Sequence, residues 1–422
     1  MVNKVKKDRL YYGWIVVAAC FSIGIISYGI HFSYGVFFTS LEQHFIWSRT
    51  LTSGIFSVYV SLGCVFAILG GWALDRYGPR IVIIIMGFFA GLSLLLTSYA
   101  NSLGHLFITY SLLLAIGIGP TYTVTMATAS RWFAKGRGLA LAIVGSGSGL
   151  GMIVMAPIAA YLISGYGWQT AYFIIGIVAW FTIIPCALPL RKAPTAVAPL
   201  ANAEKWATPA PTALQEQPPN EPEGFSLPQA AKTKNFWLLS LVWLLYSFCL
   251  HSVLIHLVPH AIDLGISPIE AAAILSLVGG TSIPGRLLTG RLSDAIGRKQ
   301  TAIVSALLMA GAMLLLAGGS NLWMLYLFGI IFGLSFGGLD PPLIALIGDV
   351  FGMRHIGVII GVLVVGWNSG AAIGPVLAGY IFDVSGNYAF AFLAGMIAML
   401  IAAVLILLVT QPKRGAQTLS GH

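Results

Sequence analysis

The 422-residue chain has very little charge, since only 8% of its residues are charged while 58% are hydrophobic and the mean hydropathy is +0.90. A soluble domain needs a charged surface, so this composition excludes one. A helix that spans a membrane needs about 20 apolar residues. Runs of this kind predict twelve spanning helices, near 14–38, 51–73, 81–100, 104–130, 139–164, 168–190, 236–260, 270–290, 300–318, 322–348, 356–382 and 386–410.

Cysteines and catalytic motifs are also scarce. The four cysteines lie inside apolar runs without metal-ligand spacing, which is typical of small packing residues. The glycine-rich stretch 145–151 lies inside a span, where close helix packing is favoured over a dinucleotide loop. Metalloprotease and phosphate-loop motifs are absent from the sequence. We therefore expect no enzyme, no cofactor and no metal site.

The net charge of +9 is distributed unevenly along the chain. The positive-inside rule places both termini and the even-numbered turns in the cytoplasm, because the opposite side carries only Arg49. The excess charge thus indicates orientation in an inner (plasma) membrane, and it does not predict nucleic-acid binding. The basic residues on the predicted cytoplasmic side are Lys4, Lys6, Lys7, Arg9, Arg76, Arg80, Arg131, Lys135, Arg137, Arg191, Lys192, Arg298, Lys299, Arg354, Lys413 and Arg414.

Residues 193–234 differ sharply from the rest of the chain, because they are rich in Pro, Ala, Gln and Glu. This composition predicts a cytoplasmic linker that divides the twelve spans six and six. The predicted organisation is an N-terminal six-helix bundle at 1–192, the linker, a C-terminal six-helix bundle at 235–412 and a cytoplasmic tail at 413–422.

The two predicted halves repeat one another at an offset of 218 or 219 residues. The matching stretches are GWALDRYGPR at 71–80 with GRLSDAIGRK at 290–299, GYGWQTAYF at 165–173 with VSGNYAFAF at 384–392, and RWF at 131–133 with DVF at 349–351. Repeats of six spans imply two bundles related by a pseudo-two-fold axis, with a binding site between them near the midplane.

The stretch GWALDRYGPR and its counterpart resemble the signature of the major facilitator superfamily. The resemblance implies an all-α membrane fold of twelve helices in two bundles. It also implies that an acidic residue and a basic cluster latch neighbouring helices on the cytoplasmic side. The residues that match this gating motif are Asp75, Arg76, Arg80, Asp294 and Arg298.

Three further stretches resemble the monocarboxylate transporters and their bacterial relatives, including the oxalate:formate antiporters. They are YYGW at 11–14 leading into SYGIHFSYGVFF at 27–38, RWFAKGRGLALAIVGSGSGLG at 131–151, and HLVPHAIDLGISPIEAAAILSLVGGTSIPGR at 256–286. In that family an arginine on span 8 binds the substrate carboxylate. Arg286 is the residue of this chain that matches it.

Arg286 is unusual on physical grounds as well. An arginine inside a span costs about 2.5–3.5 kcal/mol, so it must have a partner or face water. One interpretation is that it reaches the cytoplasmic surface, because Asp294 lies only about 12 Å further along the helix. The other is that Pro284 and Gly285 interrupt the helix beside a cavity, where a guanidinium can hold a carboxylate with two hydrogen bonds.

The membrane spans offer little other fixed positive charge. Span 11 has Trp367 and Asn368 where the oxalate antiporters have a lysine, which favours a monocarboxylate over a dicarboxylate. Importing an anion alone against a negative interior costs about 2.3 kcal/mol per 100 mV, which favours symport with a proton. The animal transporters place an aspartate four residues before the arginine and a lysine near the end of span 1. Here these positions are Ser282 and either His31 or Phe32.

Two other acids are candidates for proton coupling. Asp340 lies near mid-membrane on span 10, where desolvation would favour the neutral carboxyl. It could instead hydrogen-bond to backbone groups freed by Pro341 and Pro342. Asp263 lies at the outer end of span 7, where a proton would enter, although it could simply cap the helix.

The remaining candidates would contact the substrate. His31 and His251 occupy nearly equivalent positions in the two halves, and each could instead be a packing residue. Tyr122 occupies the position equivalent to Asp340 and could donate a hydrogen bond to a carboxylate or a 2-hydroxyl. Phe332 and Phe336 would supply an aromatic wall, although most such residues pack the core.

The sequence thus predicts a secondary active transporter that carries a short monocarboxylate, such as L-lactate or pyruvate, together with a proton by alternating access. An organic anion antiporter of the oxalate/formate type is the alternative, and a membrane sensor that does not transport is a further one. The expected partners are a small monocarboxylate anion, a proton and the lipid bilayer, without nucleic acid. We expect a monomer.

Overall fold

The computed structural model describes residues 12–133, 137–192, 225–352 and 356–410, and within these ranges it contains helices and no strand. The helices of the N-terminal half are α1 (Tyr12–Phe45), α2 (Arg49–Tyr77), α3 (Pro79–Thr97), α4 (Leu103–Leu106), α5 (Leu114–Ile118), α6 (Thr121–Ser130) and α7 (Arg137–Ala187), with a π-helical stretch, Phe107–Leu113, between α4 and α5. Those that follow are α8 (Leu227–Ala231), α9 (Lys234–Asp263), α10 (Pro268–Ile296), α11 (Arg298–Gly318), α12 (Leu322–Phe351), α13 (Ile356–Ser385) and α14 (Ala389–Leu408).

Eleven helical segments in the described ranges are long and apolar enough to cross a membrane. The longest of them, Gly138–Ala187, is interrupted at Gly167, where φ is 81° and ψ is 162°. A residue with a side chain rarely adopts these angles, so glycine allows the chain to turn there. The interruption divides this segment into two spans, and the predicted all-α fold of twelve spans is confirmed.

The backbone repeats in the same way as the sequence. Gly78 and Gly297 both have positive φ and precede α3 and α11 respectively. Ile46 and Gly265 also have positive φ and are 219 positions apart, as are Gly167 and Gly386. These three turns therefore have positive φ at equivalent positions in both halves.

By internal packing the chain divides into two units. Unit 1 comprises Met1–His31, Leu62–Gly151 and Gln169–Ala213. Unit 2 comprises Phe32–Ser61, Met152–Trp168 and Leu214–His422, so it includes parts of α1, α2 and α7. The domain limits 1–192, 193–234, 235–412 and 413–422 stay a prediction, and 193–224 and 411–422 lie outside the described residues. So do several of the basic residues that indicate orientation: Lys4, Lys6, Lys7, Arg9, Lys135, Arg354, Lys413 and Arg414.

Small residues let the helices of unit 2 approach closely. A Cβ atom at Gly337 of α12 would collide with the backbone of α10, and one at Gly285 of α10 would collide with the backbone of α12. Gly370 of α13 is pressed against α9 in the same way. Contacts of this kind replace the hydrophobic driving force that helices lack inside a bilayer. The contact between α10 and α12 brings together the helices that carry Arg286 and Asp340.

Candidate functional site

Arg286 and Asp340 form an ion pair across the close crossing of α10 and α12. The Nη2 atom of Arg286 lies 3.6 Å from Oδ2 of Asp340, and the two side chains are 26% and 30% exposed. Arg286 directly follows Gly285, and Asp340 lies one helical turn after Gly337. The close contact between the two backbones at these glycines therefore sets the separation of the two side chains. The structure thus brings together two residues that the sequence predicts separately. Asp294, the partner considered for Arg286 in the sequence, is exposed in the last turn of α10.

Tyr246 of α9 contacts the same pair. Its hydroxyl donates a hydrogen bond of 2.9 Å to the backbone oxygen of Phe336, and the Asp340 carboxyl lies nearby. The guanidinium of Arg286 lies 5.7 Å from the centroid of the Phe336 ring. The sequence analysis missed Tyr246, because nothing in the local sequence distinguishes it from the other tyrosines in the spans.

The other predicted residues of unit 2 are mostly buried. His251 is buried, with Nδ1 lying 3.0 Å from the backbone oxygen of Ser247. Phe332 is fully buried and packs against Phe328, with ring centroids 5.0 Å apart. These contacts are typical of packing, and a role of either residue in substrate binding stays a prediction.

Two predicted substrate contacts, His31 and Tyr122, belong to unit 1. His31 is half-buried near the middle of α1, and Tyr122 is exposed in the first turn of α6. Their contact with a substrate stays a prediction. Among the residues that the structure describes, no group of three or more His, Cys, Asp or Glu could hold a metal ion.

Asp263 belongs to a second polar group in unit 2, which we call the Arg49 cluster: Arg49, Glu42, Asp263, Asp383, Tyr388 and His256. The two terminal nitrogens of Arg49 donate to the two oxygens of Asp263 at 2.6 and 2.9 Å, and its Nε donates to Glu42 at 3.0 Å. The guanidinium also lies 3.7 Å from the Phe382 ring centroid. Asp263 therefore holds an arginine with a bidentate ion pair, and its predicted role in proton coupling stays a prediction.

Asp383 links α13 to the start of α2. Its carboxylate accepts hydrogen bonds from the backbone nitrogens of Arg49, at 3.0 Å, and Thr50, at 2.9 Å. These N–H groups have no partner within their own helix, so Asp383 caps α2 from a distant part of the chain. Gly379, one turn earlier on α13, lies against the same backbone.

Tyr388 and His256 complete the Arg49 cluster. The Tyr388 hydroxyl accepts from Arg49 Nη1 at 2.9 Å and lies 2.9 Å from Nδ1 of His256, while Nε2 of His256 lies 2.8 Å from the backbone oxygen of Pro375. A carbonyl oxygen can only accept, so Nε2 carries the hydrogen and Nδ1 accepts from Tyr388. Burial raises the pKa of Tyr388, which keeps its hydroxyl available as that donor. The sequence signal for this cluster was that Arg49 is the single basic residue on the predicted outer side.

The residues of the gating motif form one ion pair in each unit, but the motif supplies the acid in unit 1 and the base in unit 2. In unit 1, Asp75 pairs with Arg131. In unit 2, Arg298 pairs with Asp349, the residue that aligns with Arg131 in the sequence repeat. Arg80 donates to the backbone oxygen of Leu188. A gating role for these residues stays a prediction.

Arg76, the remaining residue of the gating motif, lies near two exposed aromatic rings. Its guanidinium is 5.6 Å from the Trp72 ring centroid and 5.7 Å from that of Tyr77. Its backbone oxygen accepts a hydrogen bond from Lys192 Nζ. These contacts tie the end of α2 to the residues that follow α7.

The chain matches known membrane transporters over nearly its whole length. Monocarboxylate transporter 13 of Rattus norvegicus is 28% identical over 413 residues, which cover 97% of this chain and 91% of that protein. Monocarboxylate transporter 11 of Homo sapiens is 26% identical, covering 90% and 79%. A bacterial homologue of the human lysosomal transporter Spinster, solved in an inward-facing and occupied conformation, has a TM-score of 0.73 at 16% identity and covers 95% of this chain and 97% of its own.

The model of the Major Facilitator Superfamily matches residues 20–300 and 257–422. The likeness to the Spinster homologue supports the fold, and the likeness to the monocarboxylate transporters confirms the resemblance predicted from the sequence. Because these matches cover both halves and the helical structure has the spans that such a protein requires, the chain belongs to the major facilitator superfamily and is a multi-pass membrane transporter similar to the monocarboxylate transporters.

Proposed function

We propose that this transporter carries a short monocarboxylate, such as L-lactate or pyruvate, together with one proton. It would work by alternating access in the inner (plasma) membrane, with both termini in the cytoplasm. The observation that supports this proposal best is the partly exposed ion pair between Arg286 and Asp340. The pair places a permanent cation and a titratable acid next to each other inside the spans.

Competition for the guanidinium of Arg286 would couple the two ligands. In the empty site the ionised carboxylate of Asp340 neutralises Arg286. A substrate carboxylate needs the same guanidinium, which binds carboxylates well because its donors form a planar fork. When Asp340 takes up a proton it no longer competes for the cation. Proton binding therefore favours substrate binding, and the substrate favours the protonated acid by the same factor.

Asp263 is the second candidate for the proton site. In the Arg49 cluster the guanidinium binds the carboxylates of Glu42 and Asp263, while the carboxylate of Asp383 accepts from the backbone nitrogen of Arg49. Three carboxylates and one guanidinium leave this cluster with excess negative charge, which supports Asp263 as the second candidate for proton coupling. Anion exchange of the oxalate/formate type is less well supported, because Trp367 and Asn368 occupy the place of the second cation.

The test is uptake of radiolabelled L-lactate into proteoliposomes with and without an inward proton gradient. We expect the wild type to respond to the gradient and Arg286→Gln to lose uptake. Asp340→Asn mimics the protonated acid, so it should still exchange lactate for lactate at a rate that no longer depends on pH. Glu270→Gln is the matched control, because glutamine retains the capping box of α10 while a carboxylate is lost.

Two results would contradict the proposal. Exchange of organic anions by the wild type regardless of pH would indicate an antiporter. An unchanged pH response in Asp340→Asn would move the proton site away from Asp340, and Asp263→Asn would then be tested in the same assay.

A further inference from the structure

Unit 1 contains a small cavity at the end of α2, which we call the basic cavity. Its volume is about 160 Å³. One water molecule occupies about 30 Å³ in the liquid, so the cavity has the space of about five waters, and a phosphate group fits. The lining residues come from the ends of α2 and α6, the start of α3 and the segment after α7: Leu74, Asp75, Pro79, Thr128, Arg131, Trp132, Arg191 and Lys192.

Positive charge predominates around the basic cavity. Asp75 pairs with Arg131, and the two side chains remain 68% and 47% exposed. Among the described residues of unit 1, Asp75 is the only acid. Five exposed cations share this end of unit 1 with that single carboxylate, which leaves an excess of four positive charges. The five are Arg76, Arg80, Arg131, Arg191 and Lys192.

Neutral groups hold the other cations in place. Lys192 Nζ donates a hydrogen bond of 3.2 Å to the backbone oxygen of Arg76. Arg80 also donates to a backbone oxygen, and the guanidinium of Arg191 lies 5.4 Å from the centroid of the Tyr12 ring. These contacts orient the side chains but do not neutralise their charge, so an anion entering the cavity meets cations that are already positioned.

The fold itself does not require cations at these positions. In the sequence repeat, Ala295 stands in place of Arg76 and Asp349 in place of Arg131. Asp349 pairs with Arg298 there, so the second half forms its ion pair without the extra cations. The positive-inside rule acts on both halves alike. It therefore does not explain why only the first half has a cation at both of these positions.

We propose that the basic cavity binds the phosphate of an anionic phospholipid, such as phosphatidylglycerol, from the leaflet on the predicted cytoplasmic side. The cavity lies where the apolar span of α2 ends, and basic pockets beside spanning helices bind anionic head groups. Trp72 and Tyr77, at the same end of α2, are 55% and 50% exposed. Such rings lie at head-group level in membranes, which favours a lipid over a free phosphate.

The test measures the binding of dioleoylphosphatidylglycerol and dioleoylphosphatidylcholine to the purified full-length protein by native mass spectrometry. We expect the wild type to bind phosphatidylglycerol more tightly. The double variant Arg191→Gln/Lys192→Gln keeps the pair of Arg131 and Asp75, and it should weaken this binding about 25-fold, about fivefold for each cation. Asp75→Asn should strengthen it several-fold, because the only acid is lost and Arg131 becomes available. A purely structural role would not produce these opposite effects.

The matched control is Lys232→Gln/Arg291→Gln, which removes one exposed lysine and one exposed arginine from unit 2. It should bind phosphatidylglycerol as the wild type does. An equal loss in both double variants, or equal binding of the two lipids by the wild type, would overturn the proposal. Inorganic phosphate at the same concentration should not displace the lipid, and displacement would show that the cavity takes free phosphate instead. Transport is not measured, so these results are independent of the proposed function.

Discussion

Ile46 has a left-handed backbone conformation, with φ at 56°, in the turn between α1 and α2. Its counterpart in the second half is Gly265, with φ at 82°. A β-branched residue in this region is strained, whereas glycine adopts it freely. The side chain is also 91% exposed, so it contributes little packing in compensation. One half of the repeat thus has the residue suited to this turn, and the other does not.

We therefore expect Ile46→Gly to stabilise the protein by about 1 kcal/mol, the lower end of the cost of a non-glycine residue in this conformation. Thermal unfolding of the purified protein would measure the change. The reciprocal variant, Gly265→Ala, should lower the melting temperature. A lower melting temperature in Ile46→Gly would contradict this account of the turn.

At the scale of the helices, the candidate site depends on how closely α10 and α12 cross. Arg286 and Asp340 both lie within continuous α-helix. Their separation follows from Gly285 and Gly337, where the backbones meet without intervening side chains. A local sequence pattern can predict that each helix has small residues, but it cannot predict which helix packs against which. For this reason the ion pair was not predictable from the sequence, although both of its members were.

Gly337→Ala tests this dependence. The added methyl group would collide with the backbone of Ser282, so the helices must separate, at a cost of about 1–3 kcal/mol. We expect lower thermal stability and a loss of the pH response of lactate uptake, because Arg286 and Asp340 would no longer lie within range of each other. Gly361→Ala is the control, since open space surrounds that position on α13. Normal pH-dependent uptake in Gly337→Ala would be evidence against the proposed coupling.

For the whole molecule, the proposed site implies a cycle without net charge movement. The empty site contains Arg286 and an ionised Asp340, and the loaded site contains Arg286, a protonated Asp340 and the substrate anion. Both states are neutral overall. The membrane potential, which acts with about 2.3 kcal/mol per charge per 100 mV, would therefore favour neither of them.

We expect lactate uptake driven by a proton gradient to be unaffected when a potassium diffusion potential is imposed on the proteoliposomes. In Asp340→Asn the empty site carries one positive charge and the loaded site carries none, so net lactate uptake by this variant, which requires the empty carrier to reorient, should become sensitive to the potential. Uptake by the wild type that changes several-fold with the potential would exclude the proposed stoichiometry of one proton per anion.

The sequence by itself determined the membrane-spanning class, the twelve helices, the repeat and the family, because these depend on composition and on patterns within single segments. It also identified Arg286, Asp340 and Asp263 as costly residues within or at the ends of spans. Only the tertiary structure decided their partners. Arg49 and Asp263 are 214 positions apart, and their pairing depends on which helix faces which. The same holds for burial: Phe336 is buried and Trp367 is half-buried, because helix packing, rather than the type of residue, determines which side chains remain accessible.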